Sequence, residues 1–368
     1  MSTKSLLVEL FVEELPPKSL KKLGDAFGSV LVDSLKAQGL VGGDAKATTF
    51  ASPRRLAVHL TNVLARGADK QVQVKLVPVA VGLDGAGNAT PVLLKKLAAL
   101  GADASVVPSL KRAADGKAET LFLDKTEAGV TLGAGLQKAL DDTLAKLPIP
   151  KVMTYQQADG WTNVKFVRPA HRLVALHGAD VVPVQGLGLA AGRTTHGHRF
   201  ESKVPELAIP DADAYARLLE QDGAVLPSFA ARRADIERQL QAKAQAEGLV
   251  PIDDAALLDE VTALVERPNV LLCRFEEEFL QVPQECLILT MKQNQKYFPL
   301  LDKQGKLTNR FLVVSNIRPQ DASAVVGGNE RVVRPRLADA KFFFDQDRKQ
   351  TLRDRLPGLA KVVYHNKL

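Results

Sequence analysis

Apolar positions recur along the chain with two different periods, and the switches between them mark its elements. Ser5 to Val12 alternates loosely and is rich in Leu and Val, which predicts a half-buried strand. Beyond Pro16-Pro17, residues Leu20, Leu23, Phe27, Val30, Leu31 and Leu35 return at helical spacing, and Gly39 supplies a stop. Proline suits the first helical turn because the N–H it lacks has no partner there. Extended segments follow at Ala47–Phe50, Arg55–Val63 and Gln71–Val81, then a short helix at Pro91–Leu100, a strand at Leu121–Asp124 and a helix at Gly135–Leu147. Pro148-Ile149-Pro150 reads as a hinge. Further on, Val164–Val167 is extended, and helices are expected at Asp211–Gly223, Ser228–Gly248 (with Ser228 as cap) and Asp253–Glu266. Past Pro283 the periods alternate: helix at Glu285–Lys292, strand at Phe298–Leu301, a turn at Gly305, strand at Phe311–Ser315, helix at Leu337–Phe344. The order predicts an α/β to α+β multidomain protein with mixed sheets and packed helices.

Composition refines this picture mainly through charge. The chain has 368 residues, 46% of them hydrophobic, which is long enough for two or three domains with real cores. Its 49 Lys and Arg outweigh 42 Asp and Glu, but unevenly. Between Pro205 and Glu285 there are 7 basic and 17 acidic residues, so the rest of the chain carries a balance of +17. Such segregation suits one part for a polyanion and leaves another solvated or facing a different partner. Four regions are expected: an N-terminal α/β region at 1–150, a basic mixed region at 151–204, an acidic, mainly helical region at 205–283, and a C-terminal α/β region at 284–368. No apolar run is long enough to cross a bilayer, the N-terminus lacks a signal-peptide pattern, and the two cysteines form no CxxC. A cytoplasmic protein without membrane contact is expected.

Candidate chemistry is sparse. In VELFVEELPPKSL (Val8–Leu20), Glu9, Glu13 and Glu14 could serve as acid/base groups, as ligands of a hard cation, or as favourable charges beside the start of the following helix. With no partner base or histidine nearby, the last reading is preferred. GLGLAAGR (Gly186–Arg193) lacks the spacing of a dinucleotide fingerprint or a phosphate loop. His196 and His198 would share one face of a strand, but Arg193 and Arg199 would crowd a metal ion. His365-Asn366 resembles a phosphohydrolase His-Asp pair without its acid. Catalytic, cofactor and metal residues are therefore assigned as none. Basic residues are the better candidates for RNA or a protein interface: Arg54, Arg55, Arg193, His198, Arg199, Lys292, Lys296, Arg331, Arg334 and Arg336. The last three are expected to precede a helix whose Phe342, Phe343 and Phe344 are read as core.

Taken together, VELFVEELPPKSL, ASPRRLAV (Ala51–Val58), VKFVRPAHRLVALHG (Val164–Gly178), AGRTTHGHRF (Ala191–Phe200), MKQNQKYFPLLDKQGKL (Met291–Leu307) and GNERVVRPRLADAKFFFDQD (Gly328–Asp347) resemble the β subunit of bacterial heterotetrameric glycyl-tRNA synthetase. The resemblance runs from the first strand to the end. It departs at Met153-Thr154-Tyr155, where the family usually has Met-Arg-Trp-Gly, and at His196, where arginine is common. It implies roughly the first half of a subunit, cut before an HD-type helical domain. It also implies a non-catalytic tRNA-binding and assembly role in the ATP-dependent attachment of glycine to tRNA(Gly). The partner would be the α subunit of an α2β2 tetramer, which would hold the active site, ATP and Mg. The competing expectation is a self-contained nucleotidyl-transfer or editing-like enzyme domain.

Overall fold

The computed structural model describes residues 3–115 and 118–363, so the His365-Asn366 motif lies outside the described residues. The first strand, Thr3–Val12, is central in a seven-stranded mixed sheet, with Arg55–Leu64 antiparallel on one side and Ala170–His177 antiparallel on the other. Ala47–Ser52 closes one edge of this sheet, and Leu189–Gly192, parallel to Ala170–His177, leads to the other. The loose alternation of the first strand has a physical cause: both of its faces are covered. Leu6, Val8, Leu10 and Val12 pack with Leu20, Leu23, Phe27 and Leu31 of helix Pro17–Ala37 and with Leu136 and Leu140 of helix Leu132–Lys146. On the opposite face Leu7 joins Leu207, Ile209, Tyr215 and Leu219. A strand buried on both sides reads as a near-continuous apolar run.

Between Leu64 and Leu132 the chain leaves this core to build a separate lobe. Strands Lys70–Pro78, Ala118–Glu127 and Lys111–Asp115 form a three-stranded antiparallel sheet. Helix Pro91–Ala99 covers it with Leu93 and Leu97, packing on Leu76, Leu121 and Leu123. The hairpin Met153–Gln156/Asn163–Phe166 forms a further small sheet.

A second body carries a four-stranded sheet in the order Val250–Pro251, Phe298–Leu301, Leu307–Ser315, Asn269–Arg274. Helices Phe229–Ala246 and Ala255–Thr262 cover one face through Ile236, Leu240, Leu258 and Val261, which meet Val270, Phe298 and Leu312. Helices Gln284–Gln295 and Ser323–Asp347 cover the other through Leu287, Met291, Val333 and Leu337, which meet Cys273 and Phe311. The expected Ser228 cap is present, its Oγ accepting from Ala231 N at 3.2 Å, and Asp254 caps the next helix in the same way at 2.9 Å.

Pairing crosses all three of the expected divisions, position 204 being crossed where Thr194–Thr195 pairs with Leu207–Ala208. Thr3–Val12 pairs with Ala170–His177 across position 150, and Asn269–Arg274 pairs with Leu307–Ser315 across position 283. The acidic stretch divides between the two bodies: Leu207 to Leu219 lids the first sheet, while the segment from Phe229 onward builds the second body. Charge balance tracked solvent-facing positions, whereas pairing follows the buried strands. No helix among the described residues is long and apolar enough to cross a membrane.

The long C-terminal helix also differs from expectation. It spans Ser323–Asp347, so Arg331, Arg334 and Arg336 lie within it and do not precede it. Gly327, Gly328 and Pro335 are poor helix formers, yet Val326, Val333, Leu337 and Phe344 bind one side of it to the second core. Only Phe344 of the Phe triplet reaches that core; Phe342 is 57% exposed and Phe343 65%.

Candidate functional site

The densest chemistry sits where the two bodies meet. The hairpin Ser52–Arg55 carries two consecutive arginines inward, and Glu266, in the loop between helix Ala255–Thr262 and strand Asn269–Arg274, receives both. Arg54 Nη2 donates to Glu266 Oε2 at 2.7 Å, and Arg55 Nη1 donates to Oε1 at 3.1 Å. Two further arginine hydrogen bonds reach backbone carbonyls of the histidine loop, from Arg55 Nη2 to His196 O at 2.6 Å and from Arg54 Nη2 to Gly197 O at 2.8 Å. Burial opposes ionisation of Glu266, but the guanidinium groups of Arg55 and Arg54 outweigh it and hold the carboxyl below its usual range. Burial likewise works against the Arg55 charge, and Glu266 and Glu9 overcome it, so its pKa is raised.

Glu9, fully buried on the first strand, lies 3.5 Å from Arg55 Nε and accepts a short hydrogen bond from the Tyr215 hydroxyl. Burial, reinforced by the Glu9 charge, pushes the Tyr215 hydroxyl well above its ordinary value, so it remains a donor. A third buried arginine, Arg232, donates to Ala51 O at 2.8 Å, to Leu226 O at 2.7 Å and to Thr262 O at 3.0 Å. Burial lowers its pKa to about 9, which leaves it charged at neutral pH. Phe11 lies beneath the Arg54 and Arg55 guanidiniums, with its ring centroid 5.3 and 5.4 Å away. Each carboxylate of this cluster already faces a cation or a donor, so the arrangement acts as a lock between bodies.

The histidine loop runs over this cluster and walls a cleft of ≈ 620 Å³ with Glu13 and Arg199. Here the expected strand gives way after Thr194–Thr195 to a turn. His196 Nδ1 meets Pro205 O at 2.8 Å, and its Nε2 accepts from Arg172 Nε at 3.1 Å. His198 Nδ1 accepts from the N–H groups of Phe200 and Glu201, both at 3.2 Å. The two rings thus serve different partners and do not point together at one ion. Glu13 and Glu14 precede the first turn of helix Pro17–Ala37 and bind Arg199 at 2.8 and 3.1 Å, and Glu13 also meets His171 at 2.9 Å. Burial opposes the Glu13 charge, but hydrogen bonds from its neighbours and the nearby Arg199 charge lower its pKa.

The other basic candidates divide by what they touch. Arg193 donates to Ala179 O at 2.7 Å, so GLGLAAGR ends on a backbone carbonyl. Lys292 pairs with Asp254, Lys296 with Glu260 at 3.2 Å, and Arg334 with Glu276 at 2.6 Å. Arg55 is fully buried, while Arg54 and His198 are largely buried and show only their edges in the cleft beside Arg199. Arg331 and Arg336 remain exposed and, among the described residues, neither has a carboxylate within ion-pair distance. By helical spacing Arg331 and Phe342 share the face opposite Val333, while Arg336 and Phe343 share one flank. Tyr215, Arg232 and Glu266 are the cluster members that sequence reasoning missed, and Glu9, singled out there beside Glu13 and Glu14, proves to be a buried partner of Arg55 and Tyr215. A buried carboxylate within an apolar strand was the one local signal available for Glu9.

The family described as "Glycyl-tRNA synthetase beta subunit" matches residues 6–368. The chain belongs to that family. The protein named "Glycine--tRNA ligase beta subunit" of Leptothrix cholodnii is 75% identical over 368 residues, covering all of this chain and 52% of the relative. Its namesakes in Thiobacillus denitrificans and Acidovorax ebreus are 70% and 69% identical, again over all of this chain and 52% of each relative. The chain therefore spans about half the length of these glycine–tRNA ligase beta subunits. Of the motifs quoted for the resemblance, ASPRRLAV holds the Arg54-Arg55 hairpin; its carboxylate partner Glu266 lies in ALVERPNV (Ala263–Val270).

Proposed function

We propose that this chain is a non-catalytic part of glycine–tRNA ligase that holds tRNA(Gly) and helps assemble the enzyme in the cytoplasm. The active site, with ATP and Mg, belongs in this reading to the α subunit of an α2β2 tetramer. The observation that carries RNA contact is helix Ser323–Asp347, on which Arg331 and Arg336 are exposed with no carboxylate within ion-pair distance among the described residues, and Phe342 and Phe343 are exposed about two to three turns further along. Guanidinium groups suit phosphate oxygens, and aromatic side chains suit unstacked bases.

In the complete subunit, Arg331→Ala with Arg336→Ala should weaken tRNA binding similarly across RNA sequences. The log–log salt slope of binding should flatten by about 0.7 to 1 for each phosphate that is no longer neutralised. Arg334→Ala, which releases Glu276, should leave that slope in place. Affinity titrations at several salt concentrations check both, and an unchanged slope in a well-folded double variant removes this helix from the RNA surface. For the non-catalytic part, the purified chain should give no glycine-dependent ATP–pyrophosphate exchange. A clear signal free of contaminating α subunit would favour the self-contained enzyme instead.

A further inference from the structure

A cleft of ≈ 610 Å³ lies on a different surface from the long helix. One wall is the start of helix Pro17–Ala37, which presents Lys18, Lys21 and Lys22; the other is built by helices Ala255–Thr262 and Gln284–Gln295. Its floor is apolar, made by Phe229 and Leu257, and Leu289 stands 53% exposed at its side. The charges on the second wall are matched internally: Lys292 with Asp254, Lys296 with Glu260, and Asp259 with Arg233 at 2.6 Å. On the first wall Lys21 pairs with Asp25 at 3.0 Å. Lys18 and Lys22 are exposed and, among the described residues, have no carboxylate within ion-pair distance.

An apolar trough with unmatched positive charge along one side selects its occupant by chemistry. A phosphodiester strand would satisfy Lys18 and Lys22 but would leave the exposed Leu289 uncovered and would find no further unmatched cation on the far wall. A polypeptide with apolar anchors and acidic residues along one edge satisfies both walls, as amphipathic helices do in apolar grooves. We propose that this cleft docks an acidic, apolar-anchored polypeptide segment supplied by another chain of the complex. This rests on the reading of the protein as an assembling subunit.

The test places the photocrosslinking residue p-benzoylphenylalanine at position 289 of the complete natural chain, in the purified native complex. Mass spectrometry then identifies the linked segment. The expected product is one segment of a different polypeptide, with acidic residues beside leucines or aromatics. Lys18→Glu with Lys22→Glu should reduce its yield by about tenfold or more, because like charges then oppose across the contact. These substitutions suit the start of a helix, so folding is preserved. A crosslink to RNA, to the same chain, to nothing, or one that survives the charge reversal overturns the proposal. If the complex still assembles and charges tRNA in those cases, the cleft assignment fails while the assembly role stands.

Discussion

Replacing Glu266 by Ala should destabilise the protein by about 3–5 kcal/mol, because it strands Arg54 and Arg55 as buried, uncompensated cations. The cost is that of removing one partner from a dry ion cluster. It is several times the value of a surface pair such as Lys21–Asp25, whose members are 57% and 65% exposed. Glu266→Gln should fall between wild type and Ala, since the amide oxygen keeps one acceptor for two guanidiniums. The pH dependence follows from the direction of the shift. Glu266 is held below its ordinary value of 4.5 in the folded protein, so its contribution is complete above that range and fades as pH falls through the lower folded value. Melting of wild type and Glu266→Gln should therefore differ most near neutral pH and converge in acid. Equal melting at pH 7 would show that the lock contributes nothing to holding the bodies together. Loss should also be felt first between bodies, so a protease-sensitive site near Leu226 should open before either sheet unfolds, because Leu226 N–H bonds to Glu266 O at 2.9 Å.

The contrast between Glu266 and the Arg54-Arg55 pair shows what the sequence could disclose. Two adjacent arginines on a turn read locally as a basic surface patch, since nothing within SPRRL points to burial. Their carboxylate lies 211 and 212 residues away, and no periodicity connects the two. Elements whose cause is local were legible instead. Pro17 at the helix start, the Ser228 cap and strand Phe298–Leu301 stand where proline chemistry, side-chain capping and an apolar run placed them. The first half of helix Ser323–Asp347, ahead of the expected Leu337–Phe344, was hidden for the opposite reason. Its local signals, Gly327-Gly328 and Pro335, argue against a helix, and the packing of Val333 and Leu337 on the second core overrides them. The RNA-facing candidates were legible as residue types, but only the fold separates Arg331 and Arg336 from Arg334, which Glu276 occupies.

The second large effect should come from a single methyl group at Gly197, between the two histidines. A Cβ built there would lie 2.5 Å from Gly223 O and 2.6 Å from Gly223 Cα, and would also collide with Ser202 Oγ. The serine hydroxyl can rotate away, but the backbone of Gly223 is fixed because its carbonyl accepts from His198 N–H at 2.7 Å. Gly197→Ala must therefore lift the histidine loop off the 222–223 segment. That movement draws the His196 and Gly197 carbonyls away from Arg55 and Arg54, so the steric cost spreads into the charge cluster. Overpacking of this kind costs about 1–3 kcal/mol, and the coupled weakening of charged hydrogen bonds places Gly197→Ala at or above the top of that range. Gly192→Ala is the matched control: a Cβ there meets nothing within 4 Å, so reduced freedom of the unfolded chain should leave stability unchanged or slightly raised. Combining Gly197→Ala with Glu266→Gln should cost less than the sum of the two, because both release the same arginines. Melting curves of the singles and the double decide it. Strict additivity would mean that the loop and the carboxylate hold Arg54 and Arg55 independently.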